Sequence, residues 1–259
     1  MTEYTDHHAP EGLRTRGTVL VVPGRGESRE TYGRLGRRLA ADAYRVRVVD
    51  TPEVDADDVP GSLRRLGARL AAAVAGTAAE DGVAHPVVLL GADSGAAALA
   101  ALLAGPGLPG GDGPQAVVLA GLPGRTAAAG TAAAGTWEDE LDVRTSCPTH
   151  RGTLTEDRGV RRGSLDHAVP EALLAAAHGA ALTVPALLLV GDADPLADRA
   201  ALADTAAALP RARLAVVRGA HHDVLNDLQH RSVAAEIVTF LENLRNDLAP
   251  LVTVESSAW

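Results

Sequence analysis

Short apolar runs that each stop at a glycine or proline turn recur along the chain, and helical stretches separate them. Residues 18–22 (TVLVV) stop at Pro23-Gly24-Arg25-Gly26, residues 87–90 (VVLL) stop at Gly91, and residues 186–190 stop at Gly191. Residues 44–49, 116–119 and 214–217 read as further strands. Helical patterns occupy residues 28–41, 60–78, 94–103, 202–209 and 229–245. Strands with few polar positions are covered on both faces, and strands alternating with helices form parallel βαβ units. The pattern predicts an α/β fold: a mainly parallel, doubly wound sheet of about six strands.

Residues 124–183 break the rhythm. They hold a Gly/Ala/Thr stretch, Trp137, the acidic run Glu138-Asp139-Glu140, and a helical pattern over 170–178. Such a segment is too long for a plain loop. It reads as a mostly helical cap over the C-terminal edge of the sheet, where open α/β sheets bind ligands. The core is then 17–123 and 184–247, with a flexible tail at 1–16 and a second tail at 248–259. His7 and His8 fall in the first tail.

Composition limits the function classes. A chain of 259 residues that is 46% hydrophobic can bury one large core. A net charge of −9 disfavours nucleic acid as a partner. All 24 basic residues are arginine, which points to a GC-rich, actinobacterial genome. The single cysteine, Cys147, leaves no internal disulfide. The start MTEYTDHHAPEG is not a signal peptide, and no apolar run reaches membrane-spanning length. A cytoplasmic protein is expected, with a small-molecule substrate and no membrane partner. A homo-oligomer stays open. No cofactor motif and no zinc-ligand spacing occurs, so neither cofactor nor metal is expected.

Three short motifs at strand ends carry chemistry. GADSG at 91–95 has the Gly-x-Nu-x-Gly spacing of a nucleophile elbow, a sharp strand-to-helix turn that exposes its middle residue, here Asp93. GDADP at 191–195 offers Asp194, or less favourably Asp192, to orient a histidine. GAHHDVLND at 219–227 supplies His221 and His222. The order nucleophile, acid, base is that of the α/β hydrolases.

On these residues the chain resembles the α/β-hydrolase superfamily, and within it the monoacylglycerol lipase and lysophospholipase-like group, over about residues 17–245. VVPGRGESRETYGRLGRRLA is similar to that group's HGxGEHxxRY segment, and GAHHDVLND to its G-x-x-H-E-x-L-N-E ending. The resemblance implies a catalytic base at His222, an acid at Asp194, and an oxyanion hole from the backbone N–H groups of Arg25 and Ser94. Two positions depart from the group: Pro23 replaces the motif histidine, and Asp93 replaces the serine.

An elbow aspartate can attack carbon and form an ester that histidine-activated water then cleaves. The chain's tyrosines are Tyr4, Tyr32 and Tyr44, so the cap has no ring-opening tyrosine pair. Three functions remain open. The first is hydrolysis of an ester or epoxide-type bond through Asp93, His222 and Asp194. The second is non-hydrolytic tailoring in natural product biosynthesis (a lyase or C–C bond-forming step), with Asp93 and His222 moving protons. The third is a catalytically inactive binding module. Arg25, Glu27, Trp137, His150 and Arg151 are the candidate pocket residues.

Overall fold

The computed structural model of the protein describes residues 4–111, 113–126 and 135–257. Its strands are β1 (Tyr4–His7), β2 (Gly17–Val22), β3 (Tyr44–Val49), β4 (Val87–Ala92), β5 (Ala116–Ala120), β6 (Ala186–Gly191) and β7 (Ala212–Val217). The helices are α1 (Gly33–Ala41), α2 (Val59–Ala75), α3 (Asp93–Ala104), α4 (Trp137–Arg144), α5 (Pro148–Glu156), α6 (Glu171–His178), α7 (Arg199–Ala208) and α8 (His230–Leu244). The strands form one sheet in the order β1-β3-β2-β4-β5-β6-β7, with only β1 antiparallel to its neighbour. The α/β class and parallel sheet expected from the sequence are what the chain forms.

Successive strand residues feed two separate cores, as the pleat requires. Leu20, Val22, Leu89, Val117 and Leu188 pack with Leu63 of α2, Leu99 of α3 and Leu202 of α7. Val19, Val21, Val46, Val88 and Leu187 pack with Leu39 of α1 and Ile237 and Phe240 of α8. Both faces are thus covered by helices, which explains why the strands carry so few polar residues.

Chain order reverses between β2 and β4: the chain runs from β2 out to β3 and returns to β4 on the opposite side of β2. The loops leaving β2 and β4 face each other across that switch point, where α/β sheets form their ligand crevice. Close approach there depends on glycine. A Cβ on Gly95 would lie 2.5 Å from the Pro23 carbonyl oxygen, and one on Gly91 would lie 2.7 Å from the Ala96 nitrogen.

Two features differ from the sequence reading. The first concerns residues 1–16, expected as a flexible tail. Tyr4–His7 instead pairs with β3, Asp6 opposite Arg47. Arg47 is 2% exposed. Its guanidinium meets both Asp6 carboxylate oxygens at 2.6 Å, donates to the Ala73 carbonyl at 2.9 Å, and stacks 3.6 Å from the Tyr4 ring centroid. A buried arginine, not an apolar stripe, recruits this edge strand, so hydrophobic pattern alone does not reveal it. His7 is half-buried in the same strand.

The second concerns the insertion. Leu173, Leu174 and Ala177 of α6 are buried in the α3 core, so this helix belongs to the helical layer and not to the cover. Helices α4 and α5 and the segment 157–167 lie over the strand ends. The Gly/Ala/Thr stretch at 127–134 lies outside the described residues. Among the described residues, no helix is long and apolar enough to cross a membrane.

Removing one partner of a buried ion pair strands the other charge. Asp6→Ala should therefore lower unfolding stability in urea by about 3 kcal/mol. The double change Asp6→Ala with Arg47→Met should recover most of that loss. Equal loss in both variants would show that Arg47 is not what anchors β1.

Candidate active site

Asp93 is the first residue of α3 and has φ +47°. A non-glycine residue in the left-handed region is strained, by about 1–3 kcal/mol, and aspartate tolerates it better than most. The strain comes from the tight turn between β4 and α3, and it directs the carboxylate at the β2 loop. That carboxylate is buried, with 6% side-chain exposure.

Arg25 grips it from two directions. The Arg25 backbone N–H donates to Oδ2 at 2.7 Å. The guanidinium donates from Nε to Oδ2 at 2.9 Å and from Nη2 to Oδ1 at 2.8 Å. A further guanidinium nitrogen, Nη1, donates to the His167 carbonyl at 2.7 Å. Ser94 supplies the next N–H of α3, but among the described residues no hydrogen bond runs from it to Asp93.

His222 reaches Asp93 from the loop after β7, with Nε2 3.1 Å from Oδ1. Its Nδ1 lies 3.0 Å and 3.1 Å from the two oxygens of Asp194, which sits after β6. Asp194 also accepts the Leu196 backbone N–H at 2.9 Å. Asp192 is exposed and accepts the Gly219 N–H at 2.5 Å. His221 turns the other way, with its ring Nδ1 3.0 Å from Asp227. The structure therefore brings Asp93, His222 and Asp194 into one line and leaves Asp192 and His221 outside it.

Four ionisable groups meet here, with side chains at most 10% exposed. Burial alone would raise the Asp93 pKa, but the charge of Arg25 and the bonds from His222 and Arg25 hold it well below the usual carboxylate range. Burial alone would lower the His222 pKa, but Asp194 and Asp93 raise it to about 10. In this arrangement His222 is an imidazolium between two carboxylates. The cavity beside the pair holds about 10 Å³, close to room for one water, walled by Glu27, Tyr32, Ala120, Val224 and Leu225.

Behind the line lies a second charged cluster. Glu27 accepts the Gly24 N–H at 2.8 Å and a close hydrogen bond from the Tyr32 hydroxyl. Burial, together with the nearby Asp223 charge, raises its pKa to about 7. Asp223 lies 2.8 Å from His150 Nε2 and 3.5 Å from Arg144 Nη1. Arg144 is 1% exposed, pairs with Glu140 at 2.8 Å and donates to the Arg25 carbonyl at 2.8 Å. Glu27, His150 and Asp223 bring one ligand atom each within 4.8 Å of one another. The Arg144 guanidinium already supplies the positive charge these carboxylates need, so the cluster does not call for a metal ion.

Of the candidate pocket residues, Arg25 and Glu27 border the Asp93 pair. His150 reaches it only through Asp223. Trp137 donates to Thr155 at 3.2 Å under the Arg162 guanidinium, and Arg151 pairs with Glu138 and Asp142. Both side chains are used up in ties within the cover and do not meet the Asp93 pair. Sequence reasoning missed Arg144, Glu140, Asp223 and Tyr32. The Glu140–Arg144 spacing of four in WEDELDVR was the one available signal.

The His222 shift has a consequence for stability. Its folded pKa of about 10 lies above the ordinary 6.5, so the folded state keeps a proton that the unfolded chain releases. The resulting stabilisation is complete below about pH 6.5 and is lost as pH rises towards 10. Urea midpoints should fall across that window in the wild type and fall less in His222→Gln. Parallel profiles for the two proteins would mean that His222 is neutral in the folded state.

The model of the alpha/beta hydrolase family matches residues 19–236. A search of curated protein sequences finds no match to the chain. Among solved structures, the chain is similar to a soluble variant of monoglyceride lipase from Saccharomyces cerevisiae, with 14% identity, coverage of 93% of this chain and 91% of that one, and a TM-score of 0.69. It is also similar to the monoacylglycerol lipase of Paleococcus ferrophilus (18% identity, coverage 93% and 98%, TM-score 0.65). A third is an esterase from Rhodococcus sp. ECU1013 (20% identity, coverage 93% and 94%, TM-score 0.62). At such identities the likeness concerns the fold, and that fold is the α/β-hydrolase fold. With most of its length matched by the family model and its strands in this order, the chain belongs to the alpha/beta hydrolase family.

Proposed function

We propose that the protein is a hydrolase that cleaves an ester or epoxide-type bond of a small organic substrate through Asp93, His222 and Asp194. The observation that carries this reading is the division of the Asp93 carboxylate: Oδ2 accepts the Arg25 N–H at 2.7 Å while Oδ1 faces His222 Nε2 at 3.1 Å. A carboxylate nucleophile needs that division. One oxygen attacks carbon, and the other becomes the carbonyl oxygen of the ester. When water then attacks the ester, negative charge develops on that second oxygen, where a backbone N–H already points. Ser94 N–H is the second donor in this scheme.

Protons balance through His222. The imidazolium gives its proton to the oxygen that leaves when the substrate C–O bond breaks. The neutral ring then takes one proton from the water that attacks the ester carbonyl carbon. As the bond from that carbon to the substrate oxygen breaks, the water's second proton passes from the new Asp93 carboxyl to the departing alkoxide, which leaves Asp93 a carboxylate and His222 an imidazolium again. Asp194 holds the ring and stabilises its charged form in both halves. No tyrosine is required for the first proton.

A second reading has its own supporting observation. The guanidinium of Arg25 spans both Asp93 oxygens, which suits a carboxylate that orients a substrate or accepts a proton and never bonds to carbon. The protein would then be a non-hydrolytic tailoring enzyme, with Asp93 and His222 as acid and base.

Mass spectrometry after a single turnover in heavy-oxygen water separates the readings. Hydrolysis through Asp93 should place label in the Asp93 carboxylate, and rapid quenching of the wild type should catch an adduct on the peptide containing it. His222→Ala should slow turnover about a thousandfold or more, and His221→Ala far less. Absence of adduct and label, with Asp93→Ala still inactive, would favour the second reading. An adduct on Ser94 would overturn both.

A further inference from the structure

We infer that the substrate carries a carboxylate-type anionic group, and that this group takes the Arg25 guanidinium away from Asp93. The inference rests on Asp93 being the reacting carboxylate, and it concerns what must happen before Asp93 can react.

Both Asp93 oxygens already accept charge-assisted hydrogen bonds. Oδ1 receives Arg25 Nη2 and faces His222, and Oδ2 receives Arg25 Nε and the Arg25 N–H. A carboxylate held in this way has little electron density free for carbon. The guanidinium must move. Its side chain is only 10% exposed, so it cannot simply be left without an anion. Stranding a buried cation is strongly unfavourable. A neutral substrate offers nothing to offset that cost. A substrate carboxylate offers the same two-pronged acceptor that Asp93 does, so one buried ion pair is exchanged for another. Net charge in the site then changes only by the substrate's own charge.

The cover above Arg25 is consistent with an anion. The segment 157–167 closes over the β2 loop, with Arg161 N–H bonded to the Gly26 carbonyl at 2.8 Å and the His167 carbonyl on Arg25 Nη1 at 2.7 Å. Arg158, Arg161, Arg162 and His167 are exposed along it, in a chain whose net charge is −9. Asp157 on the same segment is occupied by Ser28 and by the Gly159 N–H, Asp166 is exposed, and Arg161 lies 3.9 Å from exposed Glu53, so the segment's basic groups outnumber its free carboxylates.

Binding measured by NMR titration tests this without turnover. The probes are acetate, benzoate, phenylacetate and succinate, each beside its neutral amide. At least one carboxylate should bind the wild type about tenfold or more tightly than its amide. Asp93→Asn removes the internal competitor and should tighten that carboxylate severalfold. Arg25→Gln should abolish the preference, and Arg25→Lys should restore part of it. Equal affinity for acid and amide, no saturable carboxylate binding, a preference that survives Arg25→Gln, or no tightening in Asp93→Asn would each overturn the inference. Failure here alongside heavy-oxygen label at Asp93 would remove the anionic substrate and leave Asp93 as nucleophile. A carboxylate preference without label would do the reverse.

Discussion

Asp93, Asp194, His222 and Arg25 bury four ionisable groups within hydrogen-bond reach of one another. Isolated charges in such a place would be prohibitively unfavourable, so each must be matched by an opposite charge at close range. That requirement fixes much else. It sets the protonation state of His222 and the low pKa of Asp93. It also demands that loops from β2, β4, β6 and β7 converge, because each supplies one of the four groups. The parallel sheet meets this demand by ending all four strands on one edge. The glycines at 91 and 95 let the turn carrying Asp93 approach the β2 loop.

The second charged cluster works on the first through backbone. Arg144 holds the Arg25 carbonyl, and so fixes the peptide whose N–H meets Asp93. Asp227, fully buried, gathers Thr145, Ser146 and His221 around one carboxylate. It thereby holds the loop carrying His222 in register with the end of α4. The placement of the Arg25 peptide and of the His222 loop thus depends on Arg144 and Asp227, which make no hydrogen bond to Asp93 or to the His222 ring among the described residues.

The core and the order of the three site motifs were legible in the sequence for a simple reason. Apolar runs ended by glycine or proline report buried parallel strands, and three motifs in a fixed order report the loops that follow them. What escaped was held by polar contacts between distant segments. Asp6 and Arg47 lie 41 positions apart, and Arg144 and Asp223 lie 79 apart. Local periodicity carries no trace of such pairs. Arg25 was visible as an oxyanion-loop residue, but its backbone role is independent of side-chain type, and nothing in PGRG foretells a guanidinium folded back onto Asp93. Trp137 and Arg151 attracted notice by being large or charged within a cover, and their partners proved to be one another's neighbours in that cover.

The cover also shares its backbone hydrogen bonds with the loop that carries His222. The His222 N–H donates to the Val143 carbonyl at 3.2 Å and the Asp223 N–H to the Arg144 carbonyl at 2.8 Å. The C-terminal carbonyls of α4, which a helix leaves open, are thus closed by the segment that carries His222. A cover joined in this way is not a hinged lid laid on a finished core. It cannot lift at α4 without unlatching the peptide of His222. It behaves as part of one cooperative unit with the site, so the same insertion cannot be exchanged or lengthened near α4 without redrawing the base's own position. The segment 157–167 is different: it meets the core through one backbone bond to Gly26 and through the side chains of Arg25, Ser28 and Glu53, so it can change without moving the peptide of His222.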